Sequence, residues 1–133
     1  MEHRLAAIMV ADMVGYSRLM GIDEVGVLTR QKTYRRELID PAIERHRGEI
    51  IKTTGDGMLT SFVSVKDAVR CAIEIQESVN RHEVDETEER RINYRIGINL
   101  GDVIFDENDV FGDGVNVAAR LEGLAQPGGI CVS

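Results

Sequence analysis

Two aspartates in this sequence stand where apolar runs give way to turn-forming residues. Asp12 ends the run LAAIMVAD (5–12), and Asp56 lies between two glycines in EIIKTTGDGMLTSF (49–62). Hard divalent cations such as Mg²⁺ prefer carboxylate oxygens and often take only one or two of them from a protein. If the two runs form neighbouring strands, one metal site can collect both carboxylates. Taken singly, each aspartate also fits a plain structural role, Asp12 as a turn cap and Asp56 as a turn residue.

A lysine, Lys52, lies inside the apolar stretch that precedes this turn. A buried strand gains nothing from an ammonium group, because taking a charge out of water is costly. The glycines around Asp56 are ordinary for a hairpin turn, whereas the acid between them and the lysine before them are not required by it.

A second polar group lies in DVFGDGVNVAAR (109–120), where Asn116 and Arg120 are four residues apart. On a helix this spacing places both side chains on one face. The planar guanidinium of an arginine bonds phosphate oxygens in pairs, and an asparagine beside it can orient a sugar. The alternative is that Arg120 lies along the surface on its aliphatic stem and that Asn116 bonds nearby backbone.

The elements that must position these residues follow from the hydrophobic pattern. The run 5–12 predicts a strand buried on both faces. A helical stretch is expected from about Asp23 to Arg47, with a kink or break at which Asp40 and Pro41 serve as N-cap and first helical residue. Residues 49–62 predict a hairpin. The clearest helix spans 64–82, where Ser64 and Asp67 have the spacing of a capping box and the apolar stripe is Val65, Ala68, Val69, Ala72, Ile73 and Val79.

The second half of the chain begins with a charged surface connection, 83–91. Residues 92–106 alternate in polarity with Ile96, Ile98 and Leu100 on one face, and Gly101-Asp102 suggests a turn or bulge between two strands. A further helix is predicted within 111–125, with Val115, Ala118, Ala119 and Leu124 as its apolar side. A final strand begins in GGICVS (128–133).

The predicted element order is strand, helix, hairpin, helix, hairpin, helix, strand. Its first half matches the β-α-β-β-α-β plan of ferredoxin-like folds. We therefore expect an α+β fold, with one mainly antiparallel sheet and helices packed on one face, and a single domain over residues 1–133.

Composition narrows the classes of function. The chain has 133 residues, of which 43% are hydrophobic and 29% charged, as in ordinary soluble domains, and its net charge is −7. This acidity argues against a nucleic-acid partner, which usually meets a basic patch. No run approaches the roughly 20 apolar residues of a membrane span, and there is no secretory signal pattern. The two cysteines, Cys71 and Cys131, have no metal or disulfide spacing, so we expect reduced thiols and a cytoplasmic protein.

Three motifs together are more specific than any one of them. VADMVGYS (10–17), IIKTTGDG (50–57) and DVFGDGVNVAAR (109–120) occur in this order on the expected elements. The chain resembles the catalytic domain of class III nucleotidyl cyclases, the adenylate and guanylate cyclases, over about residues 5–133. The resemblance implies conversion of a nucleoside triphosphate to a 3′,5′-cyclic nucleotide and pyrophosphate.

The resemblance also implies roles for single residues. It assigns two divalent metal ions, Mg²⁺ or Mn²⁺, to Asp12 and Asp56. Purine recognition falls to Lys52 and Asp109. Ribose positioning falls to Asn116, and stabilisation of the transition state to Arg120.

The purine-reading pair indicates the substrate. Lys52 only donates hydrogen bonds, which suits the ring-nitrogen acceptors of adenine, and Asp109 accepts, which suits its exocyclic amine. Guanylate cyclases of the family have Glu at the lysine position. The sequence therefore predicts ATP as the substrate and an adenylate cyclase as the enzyme.

The family builds its sites between two domains arranged head to tail. The metal aspartates come from one subunit, and the purine and transition-state residues from the other. Since this chain carries both sets, we expect a homodimer with two sites, and we expect Lys52, Asn116 and Arg120 to lie too far from the aspartates of their own chain to share a nucleotide.

Many family members have a further lysine for the substrate phosphates in a C-terminal segment that residues 1–133 do not contain. We therefore expect a domain truncated at its C-terminus, whose activity in isolation is open to question. The alternative function is a catalytically silent nucleotide-binding regulatory module of the same fold, which measured turnover distinguishes. A diguanylate cyclase is disfavoured, because the nearest match to its Gly-Gly-Asp/Glu-Glu-Phe signature is TGDG (54–57).

Overall fold

Two long antiparallel strands form the centre of the molecule, which the computed structural model describes from residue 1 to residue 133. Strand β1 (Glu2–Met13) pairs along its whole length with strand β4 (Tyr94–Asp106). The other strands are β2 (Glu49–Thr53), β3 (Gly57–Phe62), β5 (Asp109–Phe111) and β6 (Ile130–Val132). Their order is β2-β3-β1-β4-β5, with β6 parallel to β4 beside Ile96–Ile98 and all other pairs antiparallel. The predicted α+β, ferredoxin-like core is confirmed.

The helices lie on both faces of this sheet. They are α1 (Tyr16–Tyr34), a π-helical turn (Arg35–Ile39), α2 (Asp40–Arg45), α3 (Val65–Glu83) and α4 (Asp113–Leu124). Helices α1, α2 and α3 enclose the larger core cluster, on one face, as expected. Helix α4 packs against the other face over a smaller cluster that includes Ile8, Leu59 and Ala118. The expectation that all helices share one face is therefore wrong for α4.

Strand β1 is apolar on both faces because helices cover both faces of the sheet at this strand. Ala7, Met9 and Ala11 point into the larger cluster. Ala6 and Ile8 belong to the smaller one. Since side chains alternate along a strand, Asp12 falls on the α4 face of the sheet.

Helix α4 approaches β4 closely because β4 carries a glycine at the crossing. A Cβ atom on Gly97 would lie 2.2 Å from the backbone nitrogen of Glu122 and 2.4 Å from the carbonyl oxygen of Ala118. Any side chain here would push the helix off the sheet. Gly97 therefore sets the depth of α4, the helix that carries Asn116 and Arg120.

The long helical stretch differs from the prediction at its start and at the proline. Helix α1 begins at Tyr16, and Asp23 is a non-helical residue within it. Helix α2 does begin at Asp40, with Pro41 in its first turn, but Asp40 is not an N-cap. It is itself helical (φ −61°, ψ −42°), and no break precedes it, because its N–H bonds the carbonyl of Arg35, five residues back. The wider π-helical turn accommodates the proline, whose ring would otherwise clash with the carbonyl four residues before it.

The turn predicted at Gly101-Asp102 is wrong. These two residues form no turn, because the ladder with β1 runs straight through them. The chain instead turns at Glu107-Asn108, where both residues have positive φ.

Other predicted elements are confirmed. The structure has the hairpin 49–62 and the Ser64 cap, whose hydroxyl oxygen accepts from the N–H of Asp67 at 3.3 Å. The predicted apolar positions that prove exposed are Leu100, Ile73, Ala119 and Leu124.

The start of the predicted charged connection contains a buried residue. Glu83 is 1% exposed and accepts from Arg30 Nη1 at 2.6 Å, from the Ile92 N–H at 2.6 Å and from the Tyr34 hydroxyl. Glu83 thereby ties α1, the end of α3 and the approach to β4 together. None of the helices is both long and apolar enough to span a membrane.

Candidate active site

The two aspartates meet at one end of adjacent strands. Asp12 faces Gly57 in the β1–β3 ladder, so Asp56, the residue before Gly57, lies beside it. The Met13 N–H donates to the carbonyl oxygen of Asp56 at 2.7 Å, which fixes the turn to the end of β1. The structure thus brings together the two carboxylates that the sequence singles out.

The surroundings of Asp12 favour its neutral form in the metal-free protein. Its pKa is raised from 3.8 to about 7, chiefly because burial disfavours the charged carboxylate. Contact with the carboxyl groups of Glu122 and Asp56 adds to the rise. Like charges this close repel unless a proton or a cation lies among them.

The turn that carries Asp56 is held by local hydrogen bonds. The Thr54 hydroxyl donates to Asp56 Oδ1 at 3.2 Å and accepts from the Gly57 N–H at 3.0 Å. A Cβ atom on Gly57 would lie 2.3 Å from the Ala11 carbonyl oxygen and 2.8 Å from Asp12 Oδ1. Gly57 is therefore needed for the close approach of the two carboxylates as well as for the turn.

Lys52 is exposed, which corrects the premise that its ammonium is buried. Its side chain is 54% exposed, and Nζ lies 3.1 Å from Asp109 Oδ1. Strands β2 and β5 stand first and last in the strand order, and this contact brings them together on the sheet face that α4 covers. Hydrogen bonding from the Val110 N–H, with Lys52 as a further cause, holds the pKa of Asp109 below its ordinary value. The donor and acceptor that the sequence pairs are thus in contact.

A groove of about 360 Å³ connects the two aspartates with Lys52. Asp12, Lys52 and Asp56 all line it, so Lys52 is not remote from the aspartates of its own chain, contrary to expectation. Lys52 comes near the aspartates because β2 bulges between Ile50 and Lys52 and the chain turns back after Thr53.

Asn116 and Arg120 lie elsewhere. Both are exposed on α4, and neither lines the groove. Neither side chain makes an intramolecular hydrogen bond, and Arg120 forms no ion pair. Their exposure without partners leaves both free to meet a ligand or a second molecule.

Two residues near the aspartates were not singled out from the sequence. Arg95 faces Asp12 in the β1–β4 ladder, and its Nε is buried without a partner. Glu122 reaches the Asp12 carboxyl from α4. The alternation of 92–106 already put Arg95 on the face opposite Ile96, and hence offered a signal, but only the register shows that this is the Asp12 face.

The donor set fits a hard cation that is only partly held by protein. No group of three or more His, Cys, Asp or Glu side chains is arranged to hold a metal ion by itself. Two adjoining carboxylates in an open groove match the pattern in which Mg²⁺ keeps waters and takes further oxygens from a substrate's phosphates.

Comparison with known proteins decides the family. The family model for the adenylate and guanylate cyclase catalytic domain matches residues 2–133. The chain belongs to this family. The resemblance seen in the sequence is therefore confirmed.

Individual cyclases support the assignment. The crystal structure of an adenylate/guanylate cyclase/hydrolase from Silicibacter pomeroyi is 59% identical, with a TM-score of 0.92, over 99% of this chain and 77% of that one. A Rhizobium meliloti (strain 1021) protein provisionally named adenylate cyclase 3 is 47% identical over 99% of this chain and 22% of its own length. The crystal structure of the guanylyl cyclase Cya2 is 27% identical, with a TM-score of 0.83, over 99% of this chain and 76% of that one.

The similar cyclases thus include both adenylate and guanylate types. The chain also spans only 22% of the Rhizobium relative and 33% of an adenylate cyclase from Streptomyces coelicolor, to which it is 32% identical over 99% of its length. The family follows from these matches, whereas the substrate must be argued from the site.

Proposed function

We propose that this cyclase domain is an adenylate cyclase domain that converts ATP to 3′,5′-cyclic AMP and pyrophosphate. The observation that carries the proposal is the direct contact of Asp12 and Asp56 at the ends of adjacent strands, in a groove that Lys52 also lines. In the reaction the ribose 3′-oxygen bonds to the α-phosphorus, and the bond from that phosphorus to the bridging oxygen of pyrophosphate breaks.

Members of this family generally use divalent metal ions, and Asp12 and Asp56 are the residues that would hold them here. Bound there, two ions would lower the pKa of the 3′-hydroxyl and neutralise the triphosphate and the leaving pyrophosphate. For Asp12 this requires loss of its proton, which its raised pKa of about 7 makes harder than for an ordinary aspartate. The chain's own part is to present two oxygen ligands side by side.

The arginines and Asn116 would have different roles toward the substrate. Arg95 faces Asp12 in the ladder and would add positive charge behind the aspartates, although it does not line the groove. Arg120 would stabilise the charge that develops at the α-phosphorus, and Asn116 would hold the ribose. Since phosphoryl transfer needs little beyond positioning and neutralisation, the lack of a histidine among these residues is no obstacle.

The Lys52–Asp109 pair supports ATP over GTP. In the free protein the two side chains satisfy each other at 3.1 Å. The same donor and acceptor match a ring nitrogen and the exocyclic amine of adenine. Guanine presents an oxygen where adenine has the amine, and the Asp109 carboxylate would face it without a proton to share.

We also propose that the complete site forms in a homodimer. Asn116 and Arg120 are exposed, have no partners in their own chain and do not line the aspartate groove. A second copy arranged by a twofold axis would bring them to the aspartates of its partner, and symmetry would then give two sites. A catalytically silent module remains the other function for this fold.

The test is product formation by the complete protein. Cyclic AMP and cyclic GMP are measured with ATP or GTP, in Mg²⁺ or Mn²⁺, beside Asp56→Asn. We expect cyclic AMP from ATP, little cyclic GMP, and loss of most activity in the variant without loss of fold. Nucleotide binding without turnover would support the silent module, and faster use of GTP would overturn the assignment of substrate.

A further inference from the structure

Gln31 is a polar residue in a core-facing position of α1. It comes four residues after Val27 and three before Tyr34, which are 1% and 5% exposed. These spacings place all three on one helix face. Gln31 is only partly buried, so a hydrogen bond must offset only the part of its hydration that the amide loses.

The partner of Gln31 is the turn that carries Asp56. Its Nε2 donates to the carbonyl oxygen of Gly55 at 2.7 Å. Every other hydrogen bond to residues 54–56 comes from the hairpin itself or from the end of β1, where the Met13 N–H and the Asp12 carboxyl reach Asp56. Gln31 is therefore the one helical side chain that bonds this turn.

A small cavity also lies at the boundary between α1 and the turn. Its volume is about 20 Å³, and it is lined by Gln31, Ile39, Asp56 and Tyr94, among others. The hydroxyl of Tyr94 reaches no partner there. The Gln31 hydrogen bond is the one that reaches the turn from α1.

The helix that presents Gln31 is itself well fixed. Asp23 Oδ1 accepts from the Gly26 N–H at 3.0 Å, which caps the second part of α1. The Arg35 guanidinium bonds both carboxylate oxygens of Asp40, at 2.8 and 3.3 Å, across the π-helical turn. Gln31 thus adds a bond from a well-fixed helix to a turn that is otherwise held by its own hydrogen bonds and by the end of β1.

We propose that Gln31 is a positioning residue for the metal site, which it serves by holding the Gly55 carbonyl and hence the Asp56 carboxylate beside Asp12. The proposal rests on the proposed function, since it assumes that Asp56 is a metal ligand. Gln31 touches no substrate, and its effect passes through the backbone of the turn.

The test replaces Gln31 by methionine, which has nearly the same shape and no donor. Gln31→Leu is a second apolar replacement, and Lys32→Met is the matched control, because Lys32 is the next residue, is exposed and bonds nothing in the turn. In the complete protein, Mn²⁺ binding without nucleotide is followed by electron paramagnetic resonance. The Mn²⁺ concentration for half-maximal velocity, kcat, KM for ATP and the unfolding midpoint are measured beside it.

Loss of one neutral hydrogen bond should raise both the Mn²⁺ dissociation constant and the half-maximal Mn²⁺ concentration about 3- to 10-fold. KM for ATP at saturating Mn²⁺ should stay within about 2-fold, and Lys32→Met should match wild type, both within the scatter of surface changes.

Unchanged Mn²⁺ affinity in both apolar variants would overturn the proposal, as would a lowered unfolding midpoint with an unaltered Mn²⁺ dependence. Asp56→Asn separates the two levels of the argument. If it weakens Mn²⁺ binding while Gln31→Met does not, only the role of Gln31 fails. If Asp56→Asn leaves Mn²⁺ binding intact, the proposed metal site itself is wrong.

Discussion

Exchanging the hydrogen-bonding character of the Lys52–Asp109 pair should exchange the preferred nucleotide. The change is Lys52→Glu together with Asp109→Cys. Glutamate accepts from the ring N–H and amine of guanine, and a thiol is a weak donor for its carbonyl oxygen. Lys52→Glu alone is not the right test, because it would set two carboxylates against each other where the ion pair now lies at 3.1 Å.

The size of the effect follows from the two contacts. Hydrogen bonds to charged groups contribute about 1.5–3 kcal/mol each, so losing both weakens ATP use by about 3–6 kcal/mol, or roughly 10²- to 10⁴-fold in kcat/KM. Opening the ion pair subtracts little, because the side chains are 54% and 34% exposed and solvent screens an exposed pair. The fold should persist for the same reason.

The assay compares kcat/KM for ATP and for GTP in wild type and in the double variant, at one saturating metal concentration. We expect the ratio of ATP use to GTP use to fall by at least about 100-fold, the lower end of that range. Thermal unfolding serves as the control for folding. A folded double variant that keeps the original preference for ATP would show that these residues do not read the base.

Three further predictions concern stability. Because the pKa of Asp12 is about 7 in the fold against 3.8 ordinarily, the metal-free protein should lose stability as pH rises from about 4 through 7. Asp12→Asn should therefore be more stable than wild type by about 1–2 kcal/mol at pH 8 after screening, with a smaller difference at pH 5; a gap in urea unfolding that does not grow with pH would contradict this. Gly57→Ala should destabilise by about 1–3 kcal/mol, because its Cβ would lie 2.3 Å from the Ala11 carbonyl oxygen, and an unchanged urea midpoint would show that the strands part easily. Glu83→Gln should lose about 2–3 kcal/mol, since it weakens the 2.6 Å bond from Arg30 in a buried setting; a loss below about 0.5 kcal/mol would mean that the network is dispensable.

The sequence predicted those parts of the site that depend on local pattern. The proximity of Asp12 and Asp56 could be predicted because an apolar run and a Gly-Asp-Gly turn mark strand ends without reference to the rest of the chain. Their role as metal ligands stays a prediction. Lys52 was found for a partly wrong reason, since its stretch is apolar in composition but β2 is mostly exposed. Its contact with Asp109 depends on β2 and β5 meeting across the sheet, which no local pattern encodes.

The features missed are those that tertiary contacts decide. Gly101-Asp102 has the composition of a turn, but continuous pairing with β1 outweighs that local preference. Glu83 looked like the first residue of a solvated charged segment, and only Arg30 and Tyr34, far away in sequence, make its burial favourable. Gln31 likewise has no meaning until the turn lies against α1.

The measurement that tests the account most directly is complementation between two inactive chains. Asp56→Asn removes a proposed metal ligand and Arg120→Ala the proposed transition-state residue, and each homodimer should be inactive. In a mixed dimer one site carries both defects and the other carries neither, so cyclic AMP formation should recover to at most about half that of a wild-type dimer with twofold symmetry. No recovery, with heterodimers demonstrated in solution, would mean that each chain builds its own site, and the shared-site account would be wrong.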